Sequence, residues 1–198
     1  MSKISLELIQ QLRERSGVGM MDCKKALEES NGDIEKAVEL LRKKGAAVSE
    51  KRGGNATSEG LVHAYIHPGA QVGVLVELNC ETDFVARTED VKQFAQDVCL
   101  HIAAFKPKFV APADVTPEVV ETEKRIFMEQ LAATKKPANI LEQIVAGKLD
   151  KFYGEVCLIK QPFIKNDQIT VEDRLKELMA KMGENIKIRR FVRYEIGA

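Results

Sequence analysis

The chain has 198 residues and a mass of 22.1 kDa, which suits one domain or two small ones and excludes a large multidomain enzyme. Its 30 Lys and Arg residues balance 30 Asp and Glu residues, so no overall positive field exists to hold a polyphosphate. We therefore expect no direct binding of nucleic acid. The sequence has no apolar run of about 18 residues and no secretion-signal pattern at its start, so we expect a cytoplasmic protein that does not enter a membrane.

The cysteines and the short motifs do not point to catalysis. Cys23, Cys80, Cys99 and Cys157 are widely spread and include no CxxC pair, so we expect reduced, buried thiols. The sequence contains no P-loop, no dinucleotide-binding GxGxxG, no HExxH and no GxSxG motif. We therefore expect that the chain does not itself hold a nucleotide.

Residues 1–45 predict a compact unit of three short helices. Apolar residues recur at helical spacing in three stretches, which are separated by the glycine-containing segments 16–19 and 31–32. We expect the third helix to end at Gly45 and a linker to follow over 46–60, where the sequence is small, charged and glycine-containing. Three helices of this size bury little surface, so we expect part of their apolar surface to bind another molecule.

Residues 61–198 predict a core that mixes strands and helices. Between 61 and 79 the apolar period changes to two, with a turn at Pro68, which is typical of a β-hairpin. The later expected elements are a helix over 89–105, a helical hairpin over about 117–150, a helix over 170–182 and a third strand over 186–196. The fold class is therefore α+β, with a three-stranded antiparallel sheet.

The core contains three further candidate sites. His63 and His67 are four residues apart on a strand, which separates them by about 13 Å, too far to chelate one metal ion unaided. Cys80 is the last residue of a predicted strand, a position where catalytic nucleophiles can occur, but no adjacent base is evident in the sequence. The basic segment 174–198 is more typical of a solvated face or a protein contact than of a nucleic-acid groove.

Residues 79–87, which leave the hairpin, are the most informative segment. They place a carboxylate, Asp83, directly beside a large apolar ring, Phe84, on a loop that a rigid hairpin positions. In one interpretation, Phe84 packs in its own core while Asp83 or Thr82 caps the next helix. In the other, the ring enters an apolar pocket of a partner and the carboxylate disturbs a polar or cationic site there. Composition does not choose between them.

Three motifs in this chain resemble those of the elongation factor Ts family. The first is LRERSGVGMMDCKKAL over 12–27, where Ser16 and Val18 replace the usual Thr and Ala. The second is ELNCETDFVAR over 77–87, which is complete, and the third is GENI over 183–186 followed by RRF over 189–191. They occur in the family's order and span most of the chain.

This resemblance implies a ubiquitin-associated-like three-helix domain at the N-terminus, followed by an α+β core. It also implies non-enzymatic guanine-nucleotide exchange on elongation factor Tu, with no cofactor or metal ion bound by the chain itself. The segment Thr82, Asp83, Phe84 and Val85 would dislodge Mg²⁺ from the GTPase and so release GDP. The N-terminal module would contact the GTP-binding domain, with Gly19, Met20 and Met21 as the candidate residues, and the helical hairpin is a candidate second contact.

The resemblance also bears on assembly. Longer members of the family carry two core subdomains, whereas this chain has one and resembles the short form. We therefore expect a homodimer that completes the core, and a 2:2 complex with the GTPase. No cysteine follows Cys157, so the dimer would rest on packing rather than on a disulfide in the terminal strand.

Two alternatives to nucleotide exchange remain at this point. One is an adaptor whose three-helix module binds a ubiquitin-like or helical partner while the core only dimerises; its binding would not depend on the nucleotide state of any GTPase. The other is a cysteine-dependent enzyme that uses Cys80, whose activity would be lost on thiol alkylation.

Overall fold

The structure is a computed structural model that describes residues 4–131 and 137–197. The described residues form two compact units, each assembled from separate stretches of the chain. Of the described residues, the first unit contains 4–61, 78–93 and 173–187, and the second contains 62–77, 94–131, 137–172 and 188–197. None of the described helices is long and apolar enough to cross a membrane.

The predicted N-terminal helices are present as α1 (Leu6–Ser16), α2 (Met20–Glu29) and α3 (Ile34–Arg52). Gly17 has a φ of 66° and ends α1 because its left-handed backbone is readily adopted only by glycine. The three helices share one apolar core, with Ile9, Leu12, Cys23, Ala26, Leu27, Ala37 and Leu41 buried together. This arrangement follows directly from the helical spacing of the apolar residues.

The predicted β-hairpin and the helix after it are also present. Strands β1 (Glu59–Ile66) and β2 (Val72–Cys80) are joined through a turn in which the N–H of His67 donates to the carbonyl of Val72. A single helical turn, α4 (Asp83–Ala86), precedes the long helix α5 (Glu89–Phe105). The sequence analysis did not predict α4, because four residues are too few to show a helical period.

The remaining elements complete the core. The predicted helical hairpin consists of α6 (Pro117–Leu131) and α7 (Ala138–Val156), and its connection over 132–136 lies outside the described residues. A small two-stranded sheet that was not predicted follows, made of β3 (Pro162–Phe163) and β4 (Asn166–Thr170).

The last two predicted elements are α8 (Val171–Met182) and β5 (Ile186–Glu195). Strand β5 joins the hairpin in a three-stranded antiparallel sheet of order β1-β2-β5. The α+β class and the three-stranded sheet are therefore confirmed.

Helix α3 does not end at Gly45, as the sequence suggested, but continues to Arg52, so the first part of the expected linker is helical. A tertiary contact within the first unit explains the glycine. A Cβ atom at Gly45 would lie 3.1 Å from the Cβ of Ala180 on α8, closer than carbon atoms normally approach. The missing side chain therefore allows α3 and α8 to pack closely, and does not mark a helix end.

We expect Gly45→Leu to lower the free energy of unfolding by about 1 to 3 kcal/mol, because the added carbons overpack the contact between α3 and α8. Gly147→Leu in α7 is the matched control, since no described atom outside its own helix lies within 4 Å of its Cβ position. There the same change should be neutral or stabilising by up to about 1 kcal/mol through helix propensity. Urea unfolding followed by circular dichroism measures both, and equal shifts would contradict the packing explanation.

Candidate functional site

The segment after β2 forms one turn of helix at the surface of the first unit. Strand β2 ends at Cys80, and Thr82 then adopts an extended conformation and caps α4. The Thr82 hydroxyl accepts a hydrogen bond from the Val85 N–H at 3.5 Å, which satisfies one of the free donors at the start of the helix. The turn ends at Arg87, whose N–H donates back to the carbonyl of Asp83.

The ring of Phe84 points into solvent, with 79% of the residue exposed. Ala86, two residues on, is buried, and Val85 is half-buried. The helical turn therefore packs through Ala86 and presents Phe84 on the outside. The interpretation in which Phe84 packs in the core of its own chain does not match this arrangement, although Thr82 does cap the turn as that interpretation expected.

Asp83 lies beside the exposed ring and is paired with a cation on its own helix. Its Oδ2 is 2.8 Å from a guanidinium nitrogen of Arg87, one turn later. Both side chains are exposed enough for water and salt to screen this pair, so it contributes little to stability and can separate at low cost. The tip of the loop thus carries an apolar ring next to a carboxylate whose present partner is easily exchanged.

Two carboxylates that belong to the same unit hold the base of the loop. Glu184, just after α8, accepts hydrogen bonds from the Thr82 N–H at 3.1 Å and from the Thr82 hydroxyl at 2.7 Å. Glu81 accepts from the Asn185 N–H at 2.6 Å and from the Asn55 side chain at 3.0 Å. Arg52, at the end of α3, lies 3.2 Å from the same Glu81 carboxylate.

These bonds lower the pKa of Glu81, first through the Asn185 N–H and then through Asn55 and Arg52, while partial burial opposes the shift. The carboxylate is therefore kept in its charged, accepting form. Arg52 and Asn55 were not predicted as part of the site because both fell in the expected linker. Glu184 and Asn185 were recognised only as part of a motif, and their signal in the sequence is that two polar residues directly follow a helix-ending glycine.

Cys80 lies beneath the loop as a buried thiol, and it donates to the carbonyl of Thr82 at 3.3 Å. Burial raises its pKa to about 11, and the neighbouring carboxylates of Glu184 and Glu59 add to the shift. A thiol with such a pKa stays protonated near neutral pH and is a poor nucleophile. The interpretation of Cys80 as a catalytic residue is therefore not supported.

The two hairpin histidines have separate hydrogen-bond partners. His63 pairs through Nε2 with the side chain of Gln96 at 2.7 Å, and His67 pairs through Nδ1 with the hydroxyl of Tyr65 at 2.9 Å. Among the residues that the structure describes, no three His, Cys, Asp or Glu side chains are grouped so that they could hold a metal ion.

Gly19, Met20 and Met21 lie at the start of α2. Gly19 is the residue before the helix, and its carbonyl accepts the N–H groups of Asp22 and Cys23. Met20 and Met21 are the first two helical residues, and both side chains are exposed, Met21 to 65%. Two neighbouring methionines in water form a small adaptable apolar surface, which suits contact with another protein.

Comparison with known proteins identifies the family. The family model described as Elongation factor TS matches residues 19–198. An elongation factor Ts from Carboxydothermus hydrogenoformans is 57% identical over 194 residues, covering 98% of this chain and 89% of that protein. Those from Caldanaerobacter subterraneus and Thermotoga maritima are each 54% identical, and each alignment covers 98% of this chain and 97% of the relative. The chain therefore belongs to the elongation factor Ts family, whose members exchange guanine nucleotide on elongation factor Tu during translation.

Proposed function

We propose that this chain releases GDP from elongation factor Tu by inserting Phe84, with Asp83 beside it, next to the Mg²⁺ ion of the GTPase. The observation that carries the proposal is the exposure of Phe84 on a helical turn whose base is fixed by hydrogen bonds. A large ring held in water at a fixed position is typical of an anchor that becomes buried in a partner's pocket. Thr82 and Val85 set the backbone of this turn.

The chemistry of Mg²⁺ explains why a small displacement is enough. The ion requires near-ideal octahedral oxygen geometry, so moving one ligand or the phosphate-binding loop weakens its binding disproportionately. GDP is held largely through this ion and the surrounding backbone amides, and it dissociates faster once the ion is displaced. No covalent bond is made or broken, so the factor is non-enzymatic and needs no cofactor or metal ion of its own.

Linkage sets the limits of this mechanism. A factor that binds the nucleotide-free GTPase more tightly must lower the affinity of the GTPase for nucleotide by the same ratio. GDP and GTP can therefore both displace the factor, and the nucleotide concentrations in the cytoplasm, where we place this protein, decide the direction of exchange. The adaptor alternative lacks this property, because it predicts binding that is indifferent to nucleotide.

We expect Phe84→Ala to lower the limiting rate of stimulated GDP release about 30-fold, because a buried aromatic anchor contributes about 2 kcal/mol or more. The measurement is release of a fluorescent GDP from elongation factor Tu at saturating concentrations of the factor. Phe105→Ala is the control: it removes a half-exposed ring from the other unit and should leave the limiting rate unchanged. Unchanged release with Phe84→Ala would refute the role of the ring.

We propose further that Gly19, Met20 and Met21 contact the GTP-binding domain and supply affinity rather than displacement. Met21→Ala should raise the half-saturating concentration of the factor several-fold, since it removes apolar contact area, and should leave the limiting rate unchanged. The same fluorescence assay, run as a titration, separates the two parameters. If Met21→Ala instead lowered the limiting rate, as Phe84→Ala is expected to do, the proposed division of roles would be wrong.

We also propose that two copies of the chain pair through the outer face of the sheet, in a 2:2 complex with the GTPase. Within the second unit, this face carries Val62, Ile66, Leu75, Val192, Tyr194 and Ile196 with exposed side chains. Alternation along each strand puts these residues on the same side. Tyr194 is 70% exposed and Ile196 is 77% exposed, which is unusual for a surface that stays in water.

Charge on the same face favours a second copy as the occupant. Glu77 and Arg190 lie among these apolar residues, and their side chains pair at 2.6 Å. The two charges neutralise each other within one copy, so two identical faces can approach without repulsion. A self-complementary apolar face of this kind is what a two-fold symmetric dimer requires.

We expect light scattering to give about twice 22.1 kDa for the unmodified protein, and 22.1 kDa for Tyr194→Glu, because the new carboxylate would be buried without a partner. Tyr194 is exposed within one copy, so circular dichroism should show an intact fold. Thr122→Glu adds the same charge at an exposed position of α6 and should leave the mass unchanged. A monomeric unmodified protein at high concentration would refute the dimer.

A further inference from the structure

We propose that Glu184 is a positioning residue for nucleotide exchange: its carboxylate fixes Thr82, and through Thr82 the helical turn that exposes Phe84. This inference rests on the proposed function of Phe84 and extends it to a residue 102 positions away in the sequence. Glu184 does not need to touch the GTPase for this role.

The two hydrogen bonds from Thr82 to Glu184 determine what the threonine hydroxyl can do. The hydroxyl has one proton, which it donates to Glu184 at 2.7 Å. Its lone pairs then point to the Val85 N–H, from which the hydroxyl accepts the hydrogen bond that caps α4. The second oxygen of Glu184 accepts the Thr82 N–H at 3.1 Å, so the backbone and the side chain of the cap are held together.

A second carboxylate makes the reciprocal contact. Glu81 precedes Thr82 and accepts the N–H of Asn185, which follows Glu184. Two consecutive residues of the loop are therefore joined to two consecutive residues after α8, and this double connection fixes the rotation of the loop as well as its position. Arg52 and Asn55 pair with Glu81 and hold this carboxylate in place.

The helical turn α4 needs these contacts because it is too short to be stable alone. A helix of four residues is far below the length at which helices are stable alone, since nucleation is unfavourable. The exposed ring of Phe84 adds no packing that would fix it. Gly183, with a φ of 70°, ends α8 and allows the chain to turn, so that Glu184 comes directly to the loop.

An experiment on the whole protein can separate positioning from general stability. Glu184→Ala should lower the limiting rate of stimulated GDP release about tenfold, because hydrogen bonds to a charged group are lost, and should leave the half-saturating concentration within about twofold of the unmodified value. Glu184→Gln keeps one acceptor oxygen and should restore part of the rate. Glu177→Ala removes an α8 carboxylate that pairs with Arg42 and Arg174, and it should leave the rate unchanged.

A double variant tests whether the effect passes through the threonine. Thr82→Val removes the hydroxyl, and its combination with Glu184→Ala should lose less than the product of the two single losses. Thermal unfolding of each variant shows whether the fold persists at the assay temperature. The inference would be overturned if the loss of rate in the double variant equalled the product of the two single losses. It would also be overturned if Glu184→Ala left the rate of GDP release unchanged.

A spectroscopic measurement tests the orientation of the turn without the GTPase. The chain contains no tryptophan, so Phe84→Trp introduces a single reporter at the tip. Adding Glu184→Ala should increase the fast component of its fluorescence anisotropy decay, whereas adding Glu177→Ala should not. An identical decay in all three proteins would overturn the inference.

The two proposals can fail separately. If Phe84→Ala itself leaves GDP release unchanged, the proposed function fails. If Phe84→Ala slows release but Glu184→Ala does not, only the positioning role of Glu184 fails.

Discussion

The proposed function depends on one aromatic ring, that of Phe84, being exposed to water. Leaving a phenylalanine side chain exposed forgoes about 1.5 to 3 kcal/mol that its burial would contribute. Phe84 is nonetheless exposed, because the short helix that carries it is fixed by bonds to its base and not by packing of the ring. If a partner covers the ring, as we propose, its burial contributes that free energy to binding.

The outer face of the sheet, in the second unit, also leaves apolar side chains exposed to water. Its apolar side chains are exposed in one copy, and the inner face of β2 is filled by Val74 and Val76. A chain of this size buries a smaller fraction of its surface than a larger one, and here the outer face of the sheet stays uncovered in one copy. In the proposed dimer, pairing of two copies would bury this outer face.

Elements governed by local patterns could be predicted from the sequence, whereas long-range contacts could not. Helix ends at Gly17 and Gly183 followed from the glycines, since both have the left-handed backbone that such an end requires. Gly45 misled the prediction, because its small size serves a contact with Ala180, which is distant in the sequence. Alternation correctly predicted β1, but a period of two does not say which face is buried, and the structure places Val62 on the exposed face.

The site follows the same division. The pairing of Asp83 with Phe84 was visible in the sequence because the two residues are adjacent. Their anchor was not, because Glu184 lies 102 positions away from Thr82 in the sequence. The proposed displacement of Mg²⁺ is favoured by a ring held at a fixed position, because a mobile ring would lose conformational entropy on entering the pocket. In the proposed mechanism, the hydrogen bonds at Thr82 and the exposure of Phe84 therefore serve one requirement: the base of the loop stays fixed while its tip acts on another molecule.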